Sequence, residues 1–341
     1  MKILIIELSN LGDAILTLPA LEGLRRAFPN AELHILCSPR VEDLFFGDPR
    51  IRRVWIWRKR APLLRQGFLL GRLFSQRFDR VVDFRHSLIP LFLWGARRTP
   101  LIRRGNGPIH RAEQHLALLS GWGIRANGSI RSNGAAAIGF GPEDQRWIEQ
   151  RIEPNRRVFV VAPGSRSHLK RWGAERFAQV ADRLIEEQQG QVFLVGDQED
   201  RSVAQQVIAL MRRSATDLTG QTAIRQLAAL LTKADLVITN DSALLHAAQA
   251  MERPTVAIFG PTDERKYGPR LPNSVVVRRR LICAPCERAL CPYGHECMRF
   301  LEPDEVYAAA ARILSQAVRP QPFDPVRPEL VEGRTSLENL R

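Results

Sequence analysis

The sequence predicts an α/β protein built as two doubly wound halves, and three observations carry that expectation. Short β-branched runs alternate with helical apolar periods, the rhythm of strand–helix–strand units in a parallel sheet covered by helices. That rhythm stops in a stretch rich in Gly, Ser, Asn and Ala, Asn127 to Gly141, and then starts again. Each polar motif falls directly after a candidate strand, where open parallel sheets bind their ligands.

In the first half the expected strands are Lys2 to Leu8, Glu32 to Cys37, Val54 to Trp57 and Arg80 to Phe84, with apolar-periodic helices at Ala14 to Phe28 and Pro62 to Phe74. The second half repeats the pattern with strands Arg157 to Ala162, Gln191 to Val195, Leu236 to Asn240 and Thr255 to Phe259. Its helices are expected at Ala174 to Glu187, Arg201 to Arg212, Ile224 to Thr232, Ser242 to Met251 and Pro303 to Ala317. Two domains follow, 1–140 and 141–318, the second carrying a Cys-rich loop at 283–297. The tail 319–341 has four prolines, mixed charge and no apolar period, and is expected to be disordered.

With 341 residues, 45% hydrophobic and 25% charged, the chain is long enough for two ordinary globular domains. No stretch approaches the roughly 18 apolar residues of a membrane helix; the best, Leu88 to Ala96, spans nine positions and contains Pro90. The opening run is broken by Glu7 too soon for a signal peptide, so a cytoplasmic protein is expected. The formal charge of +14 is mostly arginine. Arg52, Arg53, Arg58, Arg60, Arg97, Arg98, Arg103 and Arg104 lie in the first half, which is therefore expected to meet an anionic partner. A basic surface that is merely solvated is the equal alternative.

The first strand ends in Ser9-Asn10-Leu11-Gly12-Asp13. Asp13 is placed either to cap the next helix or to act as a general base on a hydroxyl. After the first strand of the second half comes Pro163-Gly164-Ser165-Arg166-Ser167-His168-Leu169-Lys170-Arg171-Trp172. Small residues, hydroxyls and cations at a strand end suit an anion, and Lys170 is the choice for charge on a departing diphosphate. Gly196-Asp197-Gln198-Glu199 suits the paired hydroxyls of a ribose, with helix capping by Asp197 nearly as good a reading, and the turn through Thr222 could edge an adenine. The strongest motif is Asn240-Asp241-Ser242-Ala243-Leu244-Leu245-His246: Ser242 and Ala243 open a helix whose free amides and dipole favour phosphate, with His246 in its first turn. Phe259-Gly260-Pro261-Thr262 adds a glycine and a hydroxyl after the next strand.

As an ordered set, Gly12-Asp13 with Thr17 and Pro19, Pro163-Gly164-Ser165 with Lys170 and Trp172, Asn240-Asp241-Ser242 with His246, and Phe259-Gly260-Pro261-Thr262 resemble the family 9 glycosyltransferases, the ADP-heptose:lipopolysaccharide heptosyltransferases. The resemblance extends from Met1 to about Leu314 and implies a GT-B fold, two Rossmann-like domains facing across a cleft. It implies inverting transfer without a metal or other cofactor, with Asp13 as catalytic base and Lys170 at the diphosphate and sugar. Ser165 and Arg166 would meet the diphosphate, Asp197 or Glu199 the ribose, Thr222 the adenine, and Asp241, Ser242, Ala243 and His246 the sugar and phosphates. Family members commonly have glycine where this chain has Ala243. The implied partners are an ADP-linked sugar, a lipopolysaccharide inner-core acceptor on lipid A, and the anionic inner leaflet of the cytoplasmic membrane. A monomer is expected.

Cys283, Cys286, Cys291 and Cys297 form a C-x2-C-x4-C-x5-C pattern. Four thiolates are able to enclose structural zinc or an iron–sulfur cluster, and reduced thiols in a compact loop are the alternative. A rival from another class is a basic nucleic-acid-binding protein with Trp55, Trp57 and Trp94 near arginines. These aromatics lie within apolar runs, so core packing is the better expectation and no nucleic acid is expected. The remaining alternatives are transfer of another sugar into a different surface polysaccharide and a nucleotide-binding protein that has lost catalysis.

Overall fold

The computed structural model describes residues 1–93, 96–100, 110–124 and 137–316. Trp94, Arg103, Arg104, most of the 127–141 linker and the whole of the 319–341 tail lie outside the described residues. The strands are β1 (Lys2–Glu7), β2 (Glu32–Cys37), β3 (Arg53–Ile56), β4 (Arg80–Asp83), β5 (Arg97–Arg98), β6 (Arg157–Ala162), β7 (Gly190–Leu194), β8 (Thr216–Asp217), β9 (Leu236–Asn240), β10 (Thr255–Phe259) and β11 (Ser274–Arg278).

They form two sheets, ordered β3-β2-β1-β4-β5 and β11-β10-β9-β6-β7-β8, in which every pair is parallel. In each half the chain lays its first three strands outward in one direction and then returns to the other side of the first. The order therefore reverses between β1 and β4 and between β6 and β9, and a crevice opens beyond the carboxyl ends at such a switch point. β7, β9 and β10 are buried at every residue, as strands covered by helices on both faces must be.

The single helix expected over Ala14 to Phe28 is two, Leu11–Ile15 and Leu18–Ala27. Pro19 has no amide to offer the Ile15 carbonyl and its ring crowds that oxygen, so the first helix stops and Pro19 becomes an early residue of the next. The edge strands β5 and β11 and the helices Arg111–Ala117 and Pro142–Glu149 were not apparent in the sequence pattern. Trp55 is 4% exposed and packs in the core, away from any aromatic groove for nucleic acid.

One apolar core runs through both halves, joining Ile3, Ile35 and Phe45 of the first to Val160, Leu230 and Val237 of the second. Polar contacts cross the same boundary: Arg270 pairs with Glu113 at 2.6 Å, and the His110 Nε2 lies 3.2 Å from the Gly268 carbonyl oxygen. Two helices of the two halves also meet at Gly12, where an added Cβ would stand 3.2 Å from His246 Cδ2 and 3.5 Å from Ala243 Cα. Gly12 lies inside a helix, so the glycine serves the meeting of two helices and makes no tight turn.

Candidate functional site

The switch point between β6 and β9 gathers the second half's motifs. Asn240, wholly buried, donates through Nδ2 to the Pro163 carbonyl at 2.8 Å and accepts through Oδ1 from the Trp172 amide at 3.2 Å. One side chain thus ties the loop after β6 to the end of β9. Ser165 Oγ adds a bond to the Asp241 carbonyl at 3.3 Å. Trp172 is held from its other side, its indole N–H donating to the Leu301 carbonyl at 2.9 Å.

On this frame the Asp241 carboxylate accepts from Lys170 Nζ at 2.6 Å and from Thr262 Oγ1 at 2.7 Å, both at Oδ2. The residues come from the ends of β6, β9 and β10, so the three strand-end motifs meet at one oxygen. Ser242 caps the helix Ala243–Ala250, accepting from the Leu244 amide at 3.3 Å. Ala243 is the first helical residue, where a methyl group is tolerated because the backbone is right-handed. His246 is buried, and burial pushes its imidazole down to about 4; Asp241 and Asp13 favour its charged form while His110 and Lys170 oppose it. The ring is neutral at neutral pH, and its neighbours come from both halves.

Across Gly12, Asp13 lies in the first turn of the Leu11–Ile15 helix and is half-buried. Asn10, not Asp13, holds the capping position, and Asp13 instead faces Arg85 Nη1 at 3.7 Å and Arg111 Nε at 4.0 Å. Neither arginine was singled out from the sequence; Arg85 follows β4, where a strand-end rule finds it, but Arg111 reaches Asp13 only through tertiary folding. Beneath them Glu7 is fully buried, accepts from the Ser9 amide at 3.0 Å and from the Ser9 hydroxyl, and leaves Oε2 without a hydrogen-bond partner. Burial pushes the Glu7 carboxyl up to about 8, against the opposing pull of Arg85.

At the end of β7, Asp197 caps the turn Gln198–Asp200, accepting from the Glu199 and Asp200 amides at 2.8 and 3.1 Å. Glu199 and Arg166 are exposed, and Thr222, in the turn after β8, is half-buried. Asp200, which sequence reasoning passed over, is the acid that faces the neighbouring loop. A Cβ at Gly164 would fall 2.0 Å from its Cγ and one at Gly196 2.8 Å from its Cβ, so both glycines make room for it. Burial pushes the Asp200 carboxyl up, with Asp197 adding to the rise.

The structural metal weighed against reduced thiols at Cys283, Cys286, Cys291 and Cys297 is not supported. All four thiols are free, and among the described residues no three or more His, Cys, Asp or Glu side chains are gathered to hold a metal ion. Cys283 is exposed, while Cys297 is buried against Gly260. The segment instead braces the turns after β6 and β10. The Cys286 and Glu287 amides both donate to the Pro261 carbonyl at 2.9 Å, and the His295 ring bonds the Leu169 carbonyl, next to Thr262 and Lys170 respectively.

The family model described as glycosyltransferase family 9 (heptosyltransferase) matches residues 137–296. The chain is 27% identical over 312 residues to lipooligosaccharide heptosyltransferase 2 of Campylobacter jejuni, covering 90% of this chain and 97% of that one. A family 9 glycosyltransferase of Veillonella parvula superposes with a TM-score of 0.81 at 21% identity over 93% of this chain and 98% of the other. The Escherichia coli ADP-heptose lipopolysaccharide heptosyltransferase II does so with a TM-score of 0.74 at 22% identity over 93% and 99%. Strand order and these full-length likenesses agree on two facing α/β domains, the GT-B fold, and the second half matches glycosyltransferase family 9 over residues 137–296.

Proposed function

We propose that the chain transfers heptose from ADP-heptose to the inner core of lipopolysaccharide, inverting the anomeric centre in a single displacement. The observation that carries this reading is the approach across Gly12, which sets a carboxylate flanked by arginines opposite a helix N-terminus lined by Lys170 and Thr262. Residues 1–140 form the acceptor side in this reading and 141–318 the donor side.

Asp13 takes the proton of the acceptor hydroxyl while that oxygen bonds to the anomeric carbon from the face opposite the diphosphate. The bond from that carbon to the β-phosphate oxygen breaks, its electron pair leaves with ADP, and positive charge already in place stabilises the departing group. That charge comes from Lys170, Arg166 and the free amides at Ser242 and Ala243, so the reaction calls for no metal or other cofactor. Ser165 approaches the diphosphate, His246 and Asp241 approach the sugar and phosphates, and Thr222 edges the adenine. Asp197 or Glu199 holds the ribose; Asp200, inside the same turn, is a further candidate. Both walls of the cleft come from one chain, which supports a working monomer. No helix among the described residues is long and apolar enough to cross a membrane, and the basic first half supports peripheral work at the cytoplasmic leaflet that carries the acceptor.

The test is incubation with ADP-heptose and truncated lipopolysaccharide, following ADP release by wild type and Asp13→Ala. Turnover in the wild type and its loss in the variant are expected. Tight ADP binding with no turnover of any ADP-linked sugar overturns the reading in favour of a nucleotide-sugar-binding protein, and turnover with a different sugar alone replaces heptose as the donor.

A further inference from the structure

Outside the cleft, the first half carries a surface that the reaction does not use. The helix Leu63–Ser75 packs inward through Leu73, which is wholly buried, and through Leu69 and Leu70, which lean on a core containing Leu4, Trp55 and Val81. With Gln66 these positions fall at i, i+3, i+4 and i+7, one face of a helix. The opposite face should then be polar. Instead Leu64 and Phe68 stand there 88% and 70% exposed, and Leu63 and Phe74, on the flank of the helix, are 85% and 56% exposed. The turn Ile89–Phe92, seated on the same core through Ile89 and Leu93, adds Leu88, Leu91 and Phe92 at 69%, 47% and 60%.

Cations border this apolar face. Gln66 Nε2 donates to the Lys59 and Ala61 carbonyls, both at 3.1 Å, and so fastens the exposed Arg58-Lys59-Arg60 turn to the start of the helix. The Arg72 guanidinium lies 5.9 Å from the centre of the Phe68 ring. From Arg50 to Arg98 the sequence has 13 Lys and Arg against two acids, Asp79 and Asp83. Both acids are engaged locally, Asp79 by the Lys2 amide and Asp83 by the Arg85 and Ser87 amides.

Large apolar side chains standing side by side in water mark a surface that something covers. A polar macromolecule would leave the leucines and phenylalanines uncompensated, and an acid-rich protein partner has no use for so many of them. A bilayer surface satisfies both features at once: anionic headgroups receive the cations while the acyl boundary receives the apolar face. A helix of 13 residues is about 20 Å long at 1.5 Å per residue, so it lies along the interface and does not cross it.

We infer that the outer face of Leu63–Ser75, with the Leu88–Phe92 turn beside it, is a docking surface for an anionic lipid bilayer, entered by Leu63, Leu64 and Phe68 and held by the flanking arginines and Lys59. This surface is distinct from the cleft and does not depend on which sugar is transferred. It gives an enzyme on a lipid-anchored acceptor a fixed orientation, with catalysis and docking on separate parts of the first half.

The test is flotation of the full chain with phosphatidylcholine vesicles and with vesicles in which a third of the lipid is phosphatidylglycerol. Binding to the anionic vesicles is expected, with at least a tenfold lower partition coefficient for L63S/L64S/F68S and unchanged ADP release on a water-soluble, deacylated acceptor. Added salt should weaken wild-type binding without abolishing it, because the apolar part is not screened. The inference is overturned if wild type ignores anionic vesicles, or if the triple variant partitions like wild type. It is equally overturned if sedimentation velocity reveals a self-association that the triple variant loses, since a second copy would then be the occupant. ADP release on the soluble acceptor reports separately on the reaction, so failure of docking and failure of the transferase reading give different results.

Discussion

At the end of β9 the Asp241 side chain is 5% exposed and already bonded to Lys170 at 2.6 Å and to Thr262 at 2.7 Å. Asp13, in the short helix after β1, is 28% exposed, and its cations stand off at 3.7 and 4.0 Å. The site in the second half is therefore closed upon itself, with Asn240, Ser242 and the 283–297 segment fixing each turn. Around Asp13 the first half holds charges of both signs apart, with a buried Glu7 oxygen still unmatched. A site that must hold one nucleotide in a defined pose gains from rigidity settled in advance. A base that must reach for an incoming hydroxyl gains from a carboxylate whose partners are loose.

Asp13→Asn tests the looser side and should have the largest effect. A positioned general base contributes about 10²–10⁴ in rate, so kcat should fall by that order while the ADP Kd is unchanged. An equal loss in ADP affinity would put Asp13 in the donor pocket and erase the contrast. Lys170→Ala tests the rigid side. Removing one preorganised charge partner costs on the order of 10² in kcat, and here ADP affinity should weaken as well. Because Lys170 is 28% exposed, the stability loss from leaving Asp241 without its cation should be well below the roughly 3–5 kcal/mol of a fully buried broken pair. Thermal unfolding of Lys170→Ala beside Lys170→Arg separates the two effects; identical kinetics for both variants and wild type would remove Lys170 from the reaction.

Much of this contrast was legible beforehand, and what was hidden follows a pattern. Glu32–Cys37, Arg157–Ala162, Leu236–Asn240 and Thr255–Phe259 have the bounds their sequences announce, because a strand buried on both faces is a continuous apolar run closed by polar turns. Arg97–Arg98 and Ser274–Arg278 lie at sheet edges, where half-exposed side chains dilute that signal. The motifs around Asp241 were readable because each sits at its own strand end. Their convergence on a single oxygen, and the partnership of Asp13 with Arg85 and Arg111, depend on topology that local patterns do not carry. Asp197 drew the eye over Asp200 because it comes first after the strand, and that same place makes it the turn's cap.

Gly12→Ala probes the boundary between the two halves. The new methyl would meet the His246 ring at 3.2 Å, while the Ala243 backbone at 3.5 Å stays at ordinary contact distance, so the buried His246 ring must give by a few tenths of an ångström. Overpacking of this kind costs about 1–3 kcal/mol, and kcat should drop with little change in ADP affinity as the base moves away from the donor. A variant with wild-type kcat and melting temperature would mean that the halves do not need this contact.

The smallest effect concerns Glu7 and is read in pH. Burial raises its carboxyl from 4.5 in a free chain to about 8 in the folded protein, so folding favours the protonated form. Its contribution to stability is complete below about 4.5 and is lost as pH rises from there through 8, because the native state must then either ionise a buried group or hold its proton against the solvent. Glu7→Gln keeps an oxygen for the Ser9 amide and cannot ionise, so denaturant midpoints measured at pH 5 and pH 8.5 should fall less in the variant than in wild type. His246, pushed down to about 4, acts in the opposite direction: its contribution is complete above about 6.5 and fades as pH falls through 4, an overlapping window that wild type and Glu7→Gln share, so it cancels when the two are compared. If wild type and Glu7→Gln lose the same stability across that interval, Glu7 is ionised in the native protein and paired with Arg85, and the acceptor side is as fully matched in charge as the donor side.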